Sequence, residues 1–406
     1  MNFYIWSVFS IVVSESCLAA HDTNNFFWEI LTWCLFWLWI GLWPNVDWNG
    51  NPWTNPIDID RQLKPLAGGP TDFLFGCVWG LVHDLEFYFK ELLLNHFNVK
   101  LDPCFCCPAT CGIGPMNVND FRDGLAPWML EIITKAQWAT SPYNRHAIWN
   151  IPGVTLLTAT VDLMHCKHLG TDQYFYASVL VVLCYYLLPG TPEQNLEIVF
   201  RGIRDHYGNT PSTNRYTNLQ LCMFCNAENH EISMPCLKGR AAEVKHIGAP
   251  LLHVFREHKH NRSAMVPPTQ ILQIEIALRS SARVDLIMEE NRSVIKLPRE
   301  AYTEFRKVGF DFLVCFNALG HYYSEEHTPA IRLFNVTTKA HYLAHVILQG
   351  EFINPRLGWC YAGEHLMFHA RRLMQKCMAH NTPGKATVKF AKQYRLGMHL
   401  TFERMR

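Results

Sequence analysis

The first sixty residues of this 406-residue chain contain no lysine or arginine; the first of either is Arg61. Glu15, Asp22, Glu29, Asp47, Asp58 and Asp60 make the same segment acidic. A secretory signal opens with a basic region, and Met1–Ala20 has none, despite its Cys17-Leu18-Ala19-Ala20 ending. Ser7, Ser10, Ser14 and Glu15 also interrupt its apolar stretch, so it reads against a signal. Long hydrophobic runs are lacking too. The Trp-rich run Ile30–Trp43 falls short of the ~20 residues that cross a bilayer, and predicts a core helix instead of a membrane helix. Neither a repeat nor a low-complexity tract is present, and 49% hydrophobic with 13% aromatic residues excludes a disordered chain. The fifteen cysteines are odd in number and scattered, some of them (Cys34, Cys77, Cys184, Cys315) inside apolar runs where a thiol acts as a small hydrophobe. That pattern points to a reduced intracellular protein and away from a disulfide scaffold.

The charge missing at the start is found at the end. From His365 to Arg406 nine Lys or Arg residues face the single acid Glu403. Such a terminus suits a polyanion, nucleic acid first, with a solvated basic helix face as the plain alternative.

Chemistry-bearing residues gather where strands end. Thr155–Val161 is rich in β-branched residues and predicts a buried strand, and Gln173–Leu188 predicts a core helix stopped by Pro189-Gly190. Between them Asp162-x2-His165 stands at the strand's end, the usual place for a site in an α/β sheet. The plain reading makes Asp162 a turn cap and His165 a satisfied core histidine. After the loop Asn45–Pro56 and a turn at Gly68-Gly69-Pro70, Phe73–Val82 is a second apolar run of strand length. It delivers Asp84 to its end, before an amphipathic helix over Leu85–Leu94, where Asp84 also suits an N-cap.

Cys104-Phe105-Cys106-Cys107-Pro108 begins as a zinc knuckle does, because a tight turn lets two thiolates reach one face of a tetrahedral ion. No partner pair follows at the expected distance, so zinc ligands have to come from elsewhere, and simple buried or surface thiols stand as the plain reading. Cys222-x2-Cys225-x4-His230-x5-Cys236 resembles a retroviral-type knuckle with one residue too many, and lacks the glycines and basic residues such knuckles use. From Pro192 to about Phe334 the pattern is helical, and Pro211, Pro235, Pro250, Pro267-Pro268 and Pro298 predict short helices. His341 and His345 stand at i and i+4, a spacing that can bind zinc on one helix face, but without the H-E-x-x-H base of a metalloprotease, and core or surface histidines are the plain reading. Glu364 opens a helix with an apolar stripe (Leu366, Ala370, Leu373, Met374, Cys377) and a basic one (His365, His369, Arg372, Lys376).

Lys339-x-His341-x3-His345, then Trp359-x-Tyr361-x2-Glu364-x2-Met367 and a basic helix, resemble the C-terminal part of transposases of the CACTA (En/Spm) type. Asp162-x2-His165 resembles the D-x-x-H signature of that group, Asp84 the aspartate preceding its C-x-x-C, and Leu237-Lys238-Gly239 a segment of its helical insertion. The resemblance implies an α/β chain, α+β mixed, with an RNase H-like core and a large helical insertion. It divides as 1–64 (acidic, Trp-rich, packed on the core), 65–190 (RNase H-like portion with the Cys-rich loop), 191–335 (insertion) and 336–406 (C-terminal helices and basic tail). It further implies a DDE-type acidic site for metal-dependent DNA strand cleavage and transfer. Asp84 and Glu364 are then the candidate catalytic acids holding Mg or Mn, with Asp162 and His165 beside them. Cys104 and Cys107 are candidate structural zinc ligands, and His365, Arg371, Arg372 and Lys376 candidate DNA contacts. The expected partner is DNA, with homo-oligomerisation admitted, no membrane, and an intracellular location that is nuclear for a eukaryotic relative. The chain departs from the pattern in two respects. Asp47, Asp58 and Asp60 compete for the first acid of the triad, and the N-terminus carries no paired zinc finger or helix-turn-helix. A catalytically silent, domesticated nucleic-acid-binding or interaction protein on the same scaffold therefore stands beside the active enzyme.

Overall fold

The structure, a computed structural model, describes residues 17–66, 76–78, 80–112, 114–134, 137–138, 146–209, 214–226, 228–261 and 263–405. Residues 1–16 of the signal-like stretch, the turn at Gly68-Gly69-Pro70 and the start of the run at Phe73 lie outside them. The chain is mostly helical, 58%, and the described residues contain a single two-stranded parallel sheet and no RNase H-like sheet. It divides into two compact units, one of Met1–Gly80, Trp138–Thr158 and Tyr361–Arg406, the other of Leu81–Gln137 and Ala159–Cys360.

In the first unit, α1 (Cys17–Ile40) contains the Trp-rich run as far as Ile40, and Gly41–Trp43 lie beyond its end. The expected core helix is instead half-exposed: Phe36, Trp39 and Ile40 are each about two-fifths open to solvent. Apolar residues lie on every side of it, so no one face is set apart for burial. No helix is long and apolar enough to cross a membrane among the described residues. α2 (Pro56–Arg61) follows, capped by Asn55.

The second unit opens with β1 (Leu81–His83), then α3 (Leu85–Lys90) and α4 (Pro127–Leu130). β2 (Ala159–Val161) is fully buried, and the segment expected to extend it upstream forms a 3-10 turn, Leu156–Thr158. The ladder is parallel and pairs Leu81 with Ala159, Val82 with Thr160 and His83 with Val161. The buried Tyr88 hydroxyl shares its one proton between the carbonyls of Leu81 and Thr160, tying α3 across both strands. α5 (Asp172–Val181) is the predicted core helix, flanked by π-helical turns at Met164–Thr171 and Val182–Leu187 and left by the chain at Leu188, before Pro189-Gly190.

The helical block comprises α6 (Pro192–Gly208), α7 (Ala241–His258), α8 (Pro268–Glu290) and α9 (Arg299–His321). These are longer than the prolines suggested. Pro192 and Pro268 occupy first-turn positions, where a missing N–H costs nothing, and Pro250 is carried inside α7. A Thr191–Gln194 capping box adds a second start signal for α6. α10 (Thr338–Gln349) then runs through the core with His341 and His345 buried.

Back in the first unit, α11 (Tyr361–Met378) and α12 (Pro383–Met405) form a hairpin. Cys377, Ala386 and Phe390 are its core, with Ala370, Leu373, Met374 and Tyr394 packed around them, so the predicted apolar stripe from Ala370 to Cys377 is the seam.

Candidate metal centre

The cysteine turn and the histidine helix meet. Cys104 and Cys107 face His341 and His345 across α10, and one ligand atom from each lies within 4.8 Å of all the others, every residue buried. Cys104 Sγ is 3.3 Å from His345 Nε2, Cys107 Sγ 3.2 Å from His341 Nε2 and 3.4 Å from His345 Nε2, and the two Nε2 atoms are 3.1 Å apart. A tetrahedral zinc with ordinary Zn–S and Zn–N lengths sets S to N at ~3.5 Å and N to N at ~3.3 Å. The cluster is thus slightly contracted from a Cys2His2 zinc site and could hold that ion.

The surroundings fix the ligands. His341 Nδ1 lies 3.2 Å from the Val118 carbonyl, to which it can donate, so that Nε2 is left for a metal. Trp128, fully buried, packs edge-on against His341 and tilted against His345, and Tyr342 Oη donates to the Pro103 carbonyl at 3.0 Å, pinning the cysteine turn to α10. Electrostatics favour one thiolate. Burial opposes charge on Cys104, but hydrogen bonds from Cys106 and Cys107 and the nearby imidazoles outweigh it and hold Cys104 well below its usual value. Cys107 is pushed up because Cys104 takes the charge first, and burial lowers His341, favouring the neutral imidazole that ligates metals.

A second constellation lies at the sheet's end. Since His83 pairs with Val161, Asp84 and Asp162 are the next residues on adjacent parallel strands. At the usual strand spacing their backbones run roughly 4.8 Å apart. Asp84 caps α3, its Oδ1 accepting the Phe87 N–H at 2.7 Å, and is about two-fifths exposed. A hydrogen bond from His83, with burial opposing, then the Phe87 N–H and the charges of His165 and His83, bring its carboxyl down to about 2. Asp162 is buried and occupied: Oδ1 accepts the N–H groups of Met164 and Cys360, each at 2.9 Å, and Oδ2 that of His165 at 3.2 Å while pairing with His165 Nδ1. Its capping role in the plain reading holds. Asp162, His165 and Cys360 also bring ligand atoms within 4.8 Å of one another.

Other expected site residues fare differently. Glu364 and His365 are helical in α11, but their side chains lie outside the described residues. Arg371, Arg372 and Lys376 are exposed on the same helix, and Lys385, Lys389, Lys392 and Arg395 on α12. Asp47 accepts the N–H groups of Asn49 and Asn51 to close a turn, and Asp60 pairs with Lys64 at 3.0 Å; both acids, like Asp58, belong to the first unit. Cys222, Cys225, His230 and Cys236 form none of the groups whose ligand atoms gather among the described residues. Instead His230 stacks on Tyr185 and Cys222 is exposed.

One charged cluster escaped the sequence reading. Lys167 is fully buried, its Nζ 2.8 Å from Asp172, 2.8 Å from Asp285 and 2.9 Å from Ser281 Oγ, while His168 Nε2 is 2.8 Å from Asp285. Burial disfavours its charge, yet the two aspartates more than restore it. The signal available was a Lys-x2-Gly-x-Asp run entering the most apolar helix, which needed a distant acid to balance it. Compared with protein-family models, curated proteins and solved structures, the chain matches none.

Proposed function

We propose that this chain is a transposase-like protein of metal-dependent phosphodiester chemistry, built on a reduced RNase H-like core and stiffened by a structural zinc at Cys104, Cys107, His341 and His345. One observation carries the reading: a parallel register that delivers Asp84 beside Asp162 and His165 at a single strand edge. Adjacent strand ends bearing carboxylates suit hard divalent ions, which prefer oxygen ligands. Asp84 remains ionised throughout the physiological range and is the carboxylate with solvent access, which makes it the candidate Mg or Mn ligand. Asp162, saturated by three N–H donors, acts as a positioning residue that fixes the ring of His165. Asp84 would hold a divalent ion at this edge, and the ion would supply charge stabilisation to a transferring phosphoryl group. The exposed basic residues of α11 and α12 suit a DNA backbone.

A second reading has its own support. Because Asp84 Oδ1 is committed to the helix cap and Asp162 to backbone donors, the edge is also that of a silent, nucleic-acid-binding scaffold. Plasmid nicking by the full chain in Mg or Mn separates the two. Asp84→Asn, which keeps the cap, should lower nicking by at least about 100-fold. Equal nicking by wild type and Asp84→Asn would end the enzymatic reading, and salt-sensitive DNA binding without nicking would favour the scaffold.

A further inference from the structure

Trp359 carries two cations. The Arg356 guanidinium carbon lies 4.3 Å from the centre of its ring and the Lys245 ammonium 5.0 Å. Attraction to the ring holds such groups in place but supplies no counter-charge. Trp359 also borders the strand edge. Cys360, which follows it, donates its N–H to Asp162 Oδ1 at 2.9 Å, and at Gly358 a Cβ would stand 3.2 Å from the Thr160 side chain of β2. The 3-10 turn Pro355–Gly358 is pinned by the buried Asn354, whose Nδ2 donates to the carbonyls of Asn291 and Val294 at 2.8 and 2.9 Å.

The charges around this ring do not cancel. Asp285 is shared by Lys167 and His168 at 2.8 Å each, and Asp172 faces Lys167 at 2.8 Å. Glu289 is shared by Arg356 and Arg292 at 2.7 and 3.4 Å. Lys167, Lys245, Arg292 and Arg356 therefore meet only Asp172, Asp285 and Glu289, and Lys245 is the cation left over. Half-buried on α7, it makes no hydrogen bond or ion pair among the described residues, and its Nζ stays open to solvent. Burial pushes its ammonium below the ordinary lysine value; Asp285 and Glu289 oppose that, while Arg356 and Lys167 add to it. Arg356 gives Glu289 only Nη1, so Nε and Nη2, also open to solvent, have no acceptor among the described residues. Reachable cationic donors without acceptors gain from an anion. A carboxylate offers two oxygens in one plane, whereas a phosphate offers oxygens in several directions and suits an ammonium and a guanidinium that come from separate elements.

We propose that Lys245 and Arg356, held against Trp359, bind a backbone phosphate of a nucleic-acid strand beside the edge that bears Asp84. This role rests on the phosphodiester reading of that edge, yet it is tested without turnover. The full chain is acetylated with a succinimidyl ester, and each lysine is followed by peptide mass spectrometry alone and with inorganic pyrophosphate, a short duplex DNA or a Glu-Gly octapeptide. Duplex and pyrophosphate should each slow acetylation of Lys245 severalfold and leave the exposed Lys100 and Lys307 unchanged. Lys245→Gln should weaken duplex binding about tenfold and lower the slope of log affinity against log salt by about 1, with both restored in Lys245→Arg. Thermal unfolding of Lys245→Gln should stay close to wild type, because the charge removed had no carboxylate of its own. Unchanged acetylation of Lys245 under bound duplex, or an unchanged slope in Lys245→Gln, would overturn the site while leaving DNA binding and nicking intact. Protection by pyrophosphate alone would make it a site for small phosphates, protection by the peptide alone one for carboxylates, and either overturns the strand contact. No duplex binding at low salt would overturn it together with the nucleic-acid reading. Wild type that fails to nick while Lys245 is still protected would end the enzymatic reading and leave this contact standing.

Discussion

Replacing His345 by alanine tests the metal centre most directly. The substitution deletes one of four donors and empties a buried space beside Trp128, whose ring centroid lies 5.0 Å from that of the imidazole. A large-to-small change at a closed site costs roughly 2–4 kcal/mol on packing alone. Structural zinc contributes apparent binding free energies of about 10–16 kcal/mol, and losing a ligand forfeits much of that. Against a typical total of about 5–15 kcal/mol for a folded domain, the combined loss approaches the whole stability of the second unit. Even a net loss of about 5 kcal/mol lowers its Tm by roughly 10–20 °C, at about 2–4 °C per kcal/mol for a unit of this size. The assay pairs metal content by mass spectrometry with thermal unfolding, on wild type, His345→Ala and His345→Cys. One zinc per wild-type chain is expected, none in His345→Ala, and zinc retained in His345→Cys, which keeps a ligand while changing the packing. Wild type purified without zinc, and unfolding at the same temperature with and without a strong chelator, would refute the centre.

Three further outcomes are expected. Lys167→Met leaves Asp172 and Asp285 buried without their cation and should cost about 3–5 kcal/mol in urea unfolding, with part recovered on adding Asp172→Asn; a neutral Lys167→Met would mean the cluster admits water. The Asp84 carboxyl lies lower folded than its ordinary unfolded value of about 3.9, so its contribution is present above about pH 4 and lost as pH falls through about 2. Acid unfolding of Asp84→Ala should lack that component and show the loss of a cap worth about 1 kcal/mol, while Asp84→Asn keeps the cap. Changing Arg371, Arg372 and Lys376 together to glutamine should reduce the slope of log affinity against log salt for DNA by up to about 3, and an unchanged slope would make that face merely solvated.

Pieces of the metal centre were visible in the sequence separately. Cys104-x2-Cys107 and His341-x3-His345 each have ligand spacing, but 241 residues separate Cys104 from His345, and spacing rules reach only neighbours. What joins them is the packing of Trp128 and Tyr342, which local periodicity does not encode. Asp84 and Asp162 were legible as strand ends because apolar runs stop there, whereas their side-by-side register depends on Tyr88 and Thr160 bonding across the strands. Lys167 was opaque for a different reason: a buried lysine breaks the rule that charges lie outside, and only Asp285, 118 positions on, explains it. The helices of the block came out longer than expected because proline breaks a helix by position, and at a first turn it starts one.

The separation of the two ligand pairs also sets an order of events during synthesis. Cys104 and Cys107 leave the ribosome long before His345, on the order of ten to fifty seconds earlier at usual elongation rates of about 5–20 residues per second. Throughout that interval the two thiols are without their imidazole neighbours, and the whole helical block must be made before α10 arrives to complete the cluster. Completion of the centre thus reports that the second unit has been translated almost to its end, and a chain halted before His345 carries an open thiol pair on which oxidation or scavenged metal can act.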